Sequence, residues 1–138
     1  MRRALLFAVF ALLAAQWVPV DRDNPPVLGE IESPPEVHAI LERSCYDCHS
    51  NQTRWPWYSR MAPVSWLVAS DVHEGHEHLN FSAWRSDSTD KRHELREEIR
   101  KNVEEGEMPL WFYLPLHPKA RLDAADLQRL SRWTRDGR

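Results

Sequence analysis

Wherever the hydrophobic and polar positions of this chain follow a pattern, the spacing is helical and never the alternation typical of strands. Apolar residues recur three and four positions apart in four segments, and the loops between them are rich in proline and aromatic residues. Ahead of these segments lies an uninterrupted apolar run from Ala4 to Ala15, preceded by Arg2 and Arg3. The pattern predicts a small all-α domain behind an apolar N-terminal segment.

Each of the four predicted helices has a recognisable beginning or end. The first begins at Ser33-Pro34-Pro35-Glu36, where serine suits an N-cap and proline the first helical position. The second runs from Pro63 to about His78. The third runs from Thr89 to Glu105 with Gly106 as its C-cap, and Asp123-Ala124-Ala125-Asp126 caps the fourth. The residues expected to face the core are Val37, Ile40, Leu41, Val64, Leu67, Val68, Val72, Leu95, Ile99, Val103, Leu127, Leu130 and Trp133.

The N-terminal run has the composition of an export signal, which combines a short basic region with about 7–15 apolar residues. A membrane span needs about 20. Leu12 or Leu13 lies three positions before a cut at Ala14 or Ala15, so cleavage and retention both stay open. We expect a periplasmic or otherwise extracytoplasmic protein. Residues 1–18 are then a signal peptide or an anchor to the inner membrane, residues 19–32 a proline-rich tether, and residues 33–136 the domain.

Composition narrows the class of protein further. The chain has 138 residues with 18 Lys and Arg against 21 Asp and Glu, a net charge of −3. Without Arg2 and Arg3 the charge is −5, from 16 basic and 21 acidic residues. Nucleic-acid-binding domains normally carry a basic footprint, so no nucleic acid is expected as a partner. The unusual counts are two cysteines and seven tryptophans.

Both cysteines lie in Cys45-Tyr46-Asp47-Cys48-His49, the C-x-x-C-H pattern through which c-type haem is attached. Two thiols on one turn of chain can form thioethers to the two vinyl groups of one haem, and the adjacent histidine is directed at the iron. We predict one covalently bound haem c, attached through Cys45 and Cys48, with His49 as the proximal ligand. A thioredoxin-like redox pair would need surrounding strands, and a structural zinc site would need a fourth ligand. A disulfide is permitted in an exported protein, but this spacing closes too small a loop to stabilise the fold much.

Met108 is the expected distal ligand, because methionine commonly fills the sixth position of haem iron. It lies in Gly106-Glu107-Met108-Pro109 between two predicted helices, where proline stiffens the segment. Met61 and His117 are weaker candidates. The alternative is a purely structural role, in which Met108 fills space in the core, as methionine usually does.

Aromatic residues are expected to line the haem pocket, although each of them could equally be ordinary core. Arg54 and Arg60 are candidate partners for the haem propionates, with surface exposure as the alternative. A histidine cluster mixed with carboxylates is typical of a solvated helix end, and a second metal site is its alternative. The cluster is His73, His76 and His78, and the pocket candidates are Trp55, Trp57, Tyr58 and Trp66, followed by Trp84, Trp111, Phe112 and Tyr113.

From about Ser33 to Trp133 the chain resembles the haem-binding domain (Haem_bd) family of small bacterial monohaem c-type cytochromes. The resemblance rests on Trp-Pro-Trp-Tyr-Ser at 55–59, Ala-Pro-Val-Ser-Trp at 62–66, Asn-Phe-Ser-x-Trp at 80–84 and Met-Pro…His-Pro at 108–118. It implies a small cytochrome c-like helical domain with long loops wrapped around one haem. It also implies thioethers at Cys45 and Cys48, His49 as proximal ligand and Met108 as distal ligand. One departure is His76, where the family commonly has arginine.

The expected function is the transfer of single electrons between redox protein partners, without substrate chemistry. The alternative is a haem-based sensor or binder of a diatomic gas or peroxide, with a labile distal methionine. An enzyme is disfavoured because the chain has no second C-x-x-C-H and no identifiable distal acid–base pair, although weak peroxidase activity stays open.

Overall fold

The computed structural model describes residues 1–136, and their regular structure is helical. No strand occurs within these residues, which confirms the prediction of an all-α domain. Single 3-10 turns lie at Trp57–Arg60, Trp84–Ser86 and Pro118–Ala120. The helices are α1 (Arg2–Ala15), α2 (Pro35–Ser44), α3 (Tyr46–His49), α4 (Val64–His78), α5 (Thr89–Glu104) and α6 (Ala124–Asp136).

The core lies where α6 packs against both α2 and α5. The predicted apolar faces of these three helices meet there, as their three- and four-residue spacing requires. Tyr46, Phe81 and Trp84 complete the core from the intervening segments. The predictions for the following residues are therefore confirmed, since they are buried or, for Leu127, packed at the edge of the core: Val37, Ile40, Leu41, Leu95, Ile99, Val103, Leu127, Leu130 and Trp133.

The end of α5 is closed by a Schellman motif, as Gly106 predicted. Gly106 has a φ of +74°, in the left-handed region that favours glycine. Its N–H donates to the Val103 carbonyl at 3.4 Å, and the Glu107 N–H donates to the Asn102 carbonyl at 2.9 Å. The closure fixes the direction in which the chain leaves α5, only two residues before Met108.

The beginnings of α6 and α2 differ from each other. At α6 the Asp126 N–H donates to Asp123 Oδ1 at 2.8 Å and the Asp123 N–H donates to Asp126 Oδ2 at 3.1 Å. These two bonds form a capping box, which confirms the predicted cap. At α2 the prediction of a Ser33 N-cap is wrong, because Pro34 holds that position and the Ser33 hydroxyl has no hydrogen-bond partner. The preference of proline for the first helical position places Pro35 there and shifts the start.

The apolar face of α4 is only partly covered by protein. Val72 is buried, Val68 is half-buried, and Val64 and Leu67 are 43% and 53% exposed. The prediction that Val64 and Leu67 face a protein core is wrong, since nothing within residues 1–136 covers them. Together with Val68 they form an exposed apolar surface, which we name the α4 stripe.

The N-terminal part of the chain has two sections. α1 has no buried residue, and among the described residues no helix has the length and apolar character to cross a bilayer. Residues 16–32 contain no helix or strand. They nevertheless run along the domain surface, and Ile31 near their end is buried in the core.

Candidate functional site

The last four residues of the C-x-x-C-H motif form the short helix α3, and Cys45 lies between α2 and α3, as the C-cap of one and the N-cap of the other. The Cys45 N–H donates to the Leu41 carbonyl at 2.9 Å, and the His49 N–H donates to the Cys45 carbonyl at 2.9 Å. Cys45, Cys48 and His49 therefore lie on one helical turn. Both cysteines are free thiols, and burial raises the pKa of each to about 12, so both are protonated at neutral pH.

The ring of His49 is oriented by the end of α4. Its Nδ1 lies 3.1 Å from the Gly75 carbonyl and 3.1 Å from the Leu79 carbonyl. An Nδ1–H shared between two acceptors fixes the tautomer in which Nε2 keeps its lone pair. Burial lowers the pKa of His49, although the two carbonyls partly oppose this, and the imidazole is neutral. A neutral imidazole with a free Nε2 is the form that binds a metal ion.

Gly75 sets the distance between α4 and the motif. A Cβ at this position would lie 2.3 Å from the carbonyl oxygen of Cys48, well inside van der Waals contact. Only glycine allows α4 to cross α3 at this separation, and the close crossing brings the Gly75 carbonyl within reach of His49. This role of Gly75 could not be predicted from local sequence, because Gly75 lies 26 residues after the histidine that it orients.

His76 secures the chain just after the motif. Its Nε2 donates to the carbonyl of Ser50, which is buried, at 2.8 Å. Histidine at this position therefore makes a fixed polar contact of its own. His73 instead faces Glu77 at 3.3 Å on the surface, and in the part of the chain that is described no three His, Cys, Asp or Glu side chains are grouped to hold a separate metal ion.

Met108 lies at the edge of the same core cluster as Cys45. Its backbone N–H donates to the Asn102 carbonyl at 3.1 Å, which ties it to the closed end of α5. Its side chain is half-buried. The two weaker candidates are placed differently, since Met61 is 52% exposed and the Nε2 of His117 lies 2.6 Å from the hydroxyl of Tyr58.

A chain of four side chains, Asp47, Tyr113, His117 and Tyr58, joins the motif to two loops. The Tyr113 hydroxyl donates to Asp47 Oδ2, between the two cysteines, at 2.7 Å. The Tyr113 ring stacks on His117, with centroids 3.9 Å apart and planes 7° apart, and His117 contacts Tyr58. Burial and then Asp47 raise the pKa of Tyr113, so its hydroxyl stays a donor. We name this chain the Asp47–Tyr58 network.

The aromatic residues predicted to line the haem pocket differ in burial and in their contacts. Trp55 is half-buried and its indole N–H is enclosed without an acceptor. Tyr58 is half-buried within the Asp47–Tyr58 network, whereas Trp57 is 72% exposed. Trp66 is 41% exposed and, two and a half turns before Gly75, lies on the opposite face of α4. Trp84 is ordinary core at 1% exposure.

The remaining candidates lie at the surface. Trp111 and Phe112, in the loop that carries Met108, are 81% and 40% exposed. Arg54 lies 3.6 Å from Asp47 and donates to the Glu42 carbonyl at 3.1 Å. Arg60 is exposed. Of the residues proposed for propionates, Arg54 is thus already paired with the motif.

These residues suit a haem in chemistry and in arrangement. Two thiols and an imidazole with a free Nε2 share one turn, and a methionine lies at the edge of the same core. The α4 stripe leads from Val64 along one side of α4 to the crossing with Cys48, and offers apolar surface for a flat macrocycle. The enclosed N–H of Trp55 offers a donor for an anionic group such as a propionate.

The fold and the site define a small all-helical haem-binding protein. The chain belongs to the haem-binding domain family, whose model matches residues 10–136. The match begins inside α1 and includes residues 16–32. Because the chain belongs to this family, haem is the cofactor of the domain. No curated protein and no solved structure matches the chain.

Proposed function

We propose that this protein is an exported bacterial monohaem c-type cytochrome that transfers single electrons between redox proteins. The observation that carries the proposal is the turn of α3, which presents two thiols and an imidazole with a free Nε2 together. Haem supplies a one-electron couple when it is bound, and the chain supplies attachment, axial ligands and an apolar surrounding.

In this proposal Cys45 and Cys48 would hold the haem through two thioether bonds, each made by addition of one thiol S–H across one vinyl group. His49 would bind the iron through Nε2, and its Nδ1–H bonds to the Gly75 and Leu79 carbonyls hold the ring in position. Met108 would supply the second ligand to the iron. A His–Met ligand pair favours a relatively high reduction potential, which suits a carrier of electrons.

The apolar α4 stripe supports the same proposal. Val64 and Leu67 lie on the side of α4 that reaches Cys48 at Gly75, and both are exposed to solvent in the polypeptide. A haem attached at Cys48 and lying along α4 would cover them. Covering this surface transfers apolar area out of water, which stabilises the domain.

The test is the absorption spectrum and intact mass of protein matured in an exporting host that attaches c-type haem. We expect the polypeptide mass to include one haem. We also expect the oxidised spectrum to contain the weak long-wavelength band of sulfur-ligated iron. Met108→Ala is expected to abolish that band, whereas Met61→Ala, at an exposed methionine, is the control and keeps it.

Three outcomes would contradict parts of this proposal. A mass without haem excludes covalent attachment, and a Met108→Ala spectrum identical to the wild type excludes Met108 as ligand. Prompt and complete binding of carbon monoxide by the reduced wild-type protein would exclude a stable sixth ligand. It would favour the alternative of a haem-based sensor or binder of small molecules.

A further inference from the structure

Residues 16–31, which we name the strap, are bound to the loop that follows the haem motif. The Gln16 side chain donates to the Ala62 carbonyl at 3.1 Å and accepts from the Ala62 N–H at 3.0 Å. Further along, Arg22 donates to the Ser59 carbonyl at 3.2 Å. The N-terminal end of the strap therefore contacts the C-terminal end of the loop, and the two segments run antiparallel.

The same antiparallel course continues to the core. Asn24 donates to the Thr53 carbonyl at 3.0 Å, and the Pro26 carbonyl accepts from the Asn51 side chain at 2.8 Å. At the end of the strap the Ile31 N–H donates to the Phe81 carbonyl at 3.0 Å, and the Ile31 side chain is 4% exposed. Both ends of the strap and its middle are thus attached to the domain.

These hydrogen bonds remove the conformational freedom that an unattached tether would have. Sixteen extended residues could span about 50 Å, but the bonds to residues 51–62 fix the C-terminal end of α1 beside Ala62. The family model matches residues 10–136, so the strap lies within the matched unit together with the domain. The domain therefore has a set orientation relative to α1.

The surface around this junction is apolar and exposed, and we name it the rim. Trp17 is 88% exposed, Val18 is 51% exposed, and Met61 is 52% exposed. Arg60 beside Met61 is also exposed. The rim continues the surface of α1, on which large side chains such as Phe7 and Phe10 are 75% and 70% exposed. Tryptophan and arginine next to an apolar helix are typical of a membrane–water boundary.

We propose that α1 is retained after export, enters a lipid bilayer, and brings the rim into the headgroup region of that bilayer. α1 is about 21 Å long, so its insertion draws Trp17 and Met61 down to the membrane surface. The strap then holds the 51–62 loop, and with it the haem site, beside the membrane. This inference rests on the proposed export, but it does not depend on the identity of the axial ligands.

The experiment uses the full chain matured in an exporting host and reconstituted in vesicles of phosphatidylethanolamine and phosphatidylglycerol that contain a photoactivatable phospholipid. The labelled peptides are identified by mass spectrometry. We expect label on α1, on Trp17 and around Met61, and none on the exposed face of α6 around Gln128. Gln16→Ala is expected to lose the label around Met61 while it keeps the label on α1. Gln128→Ala is the matched control and keeps both.

Trypsin added to the same vesicles supplies an independent readout at Arg22. We expect Arg22, which is half-buried and bonded to Ser59, to resist cleavage in the wild type and to be cleaved in Gln16→Ala. A mature chain that begins after residue 15 would overturn the inference, as would label confined to residues 1–15. Haem attachment is read from the intact mass of the same sample, so a haem-free protein with a labelled rim contradicts the proposed function alone.

Discussion

Gly75 shows how one missing side chain shapes the site at the scale of a residue. Its hydrogen faces the backbone of Cys48, and its carbonyl accepts from His49. A glycine within a helix normally reduces stability by about 1 kcal/mol relative to alanine. Here that loss accompanies the close helix crossing that orients His49.

We therefore expect Gly75→Ala to lower the free energy of unfolding by about 1–3 kcal/mol, because the new methyl group overlaps backbone atoms that have little room to move. Helix propensity alone predicts the opposite sign. Urea unfolding of the polypeptide measures the difference, and a variant as stable as the wild type would refute the role of the crossing.

Gly106→Ala is the matched control for that experiment. Its added Cβ would meet nothing within 4 Å, so only the left-handed φ of +74° is unfavourable. The expected loss is about 1–2 kcal/mol from backbone strain. Since Gly106 does not contact the motif, haem attachment should be normal in this variant and impaired in Gly75→Ala.

At the scale of elements, the Asp47–Tyr58 network connects three segments that are far apart in the chain. Tyr113 lies five residues after Met108, in the same loop, and bonds to Asp47 within α3. The network therefore holds the loop that carries Met108 against the C-x-x-C-H motif. Electron transfer benefits from such a link, because a fixed sixth ligand needs little rearrangement when the iron changes charge.

Tyr113→Phe tests this link, because it removes the bond to Asp47 and keeps the aromatic ring. We expect the Met108 loop to loosen, so that the reduced protein binds carbon monoxide faster and the sulfur–iron band of the oxidised protein weakens. The polypeptide should also lose about 1.5–3 kcal/mol of stability, as for a hydrogen bond to a charged group. Absorption spectroscopy and urea unfolding provide the two measurements.

Tyr58→Phe serves as the comparison for Tyr113→Phe, since it removes only the contact with His117 and leaves the bond to Asp47 intact. We expect its carbon monoxide binding to stay close to the wild type. Equal effects in both variants would show that the aromatic rings, rather than the Tyr113–Asp47 bond, hold the loop.

The contact between Arg43 of α2 and Asp126 of α6 predicts that the stability of the fold depends on pH. Burial on its own raises the pKa of Asp126, but the hydrogen bonds from Arg43 and from the Asp123 N–H outweigh it and lower the pKa below 3.8. The carboxylate therefore stabilises the fold at pH values above 3.8. This stability is lost as the pH falls below that value, through the pKa of the folded state.

We expect Asp126→Asn to lower the free energy of unfolding by about 1–3 kcal/mol at pH 7. The difference from the wild type should shrink as the pH falls below 3.8, because the pKa of the folded carboxyl lies below that value and its protonation removes the stabilising charge. Urea unfolding between pH 7 and pH 3 measures this. Glu98→Gln, at an exposed position of α5, is the control, and a difference that stays constant over the range would contradict the account.

At the scale of the whole molecule, we expect the exposed α4 stripe to contribute to the stability of the haem-loaded protein but not to that of the polypeptide without haem. Replacing Val64 and Leu67 together by serine changes residues that are already exposed. The polypeptide should keep its stability within about 0.5 kcal/mol. In the haem-loaded protein the loss should reach about 3 kcal/mol, because two apolar contacts with the macrocycle disappear.

Trp66→Ser is the control for the stripe, since Trp66 lies on the opposite face of α4. Thermal or urea unfolding of haem-free and haem-loaded forms gives both free energies. If the double serine variant destabilises the two forms equally, the stripe does not contact haem. If Trp66→Ser lowers the free energy of unfolding of the haem-loaded form alone, the haem contacts the face of α4 that carries Trp66.

Much of this molecule could be predicted from local sequence. The apolar faces of α2, α5 and α6, the Gly106 closure and the Asp123–Asp126 capping box all depend on residues within one or two turns of each other. The exposed stripe of α4 could not be predicted in the same way. Helical spacing shows which residues are apolar together, but it does not show whether protein or a cofactor covers them.

The sequence by itself determined the helices, their ends and the placing of two thiols and an imidazole on one turn, because short-range sterics and hydrogen bonds decide these features. Only the tertiary structure decided the approach of Gly75 to Cys48, the bond from Tyr113 to Asp47 and the course of the strap. These contacts join residues that are 27, 66 and, for Gln16 and Ala62 in the strap, 46 positions apart. Such distances are set by how the helices pack, and no local pattern encodes them.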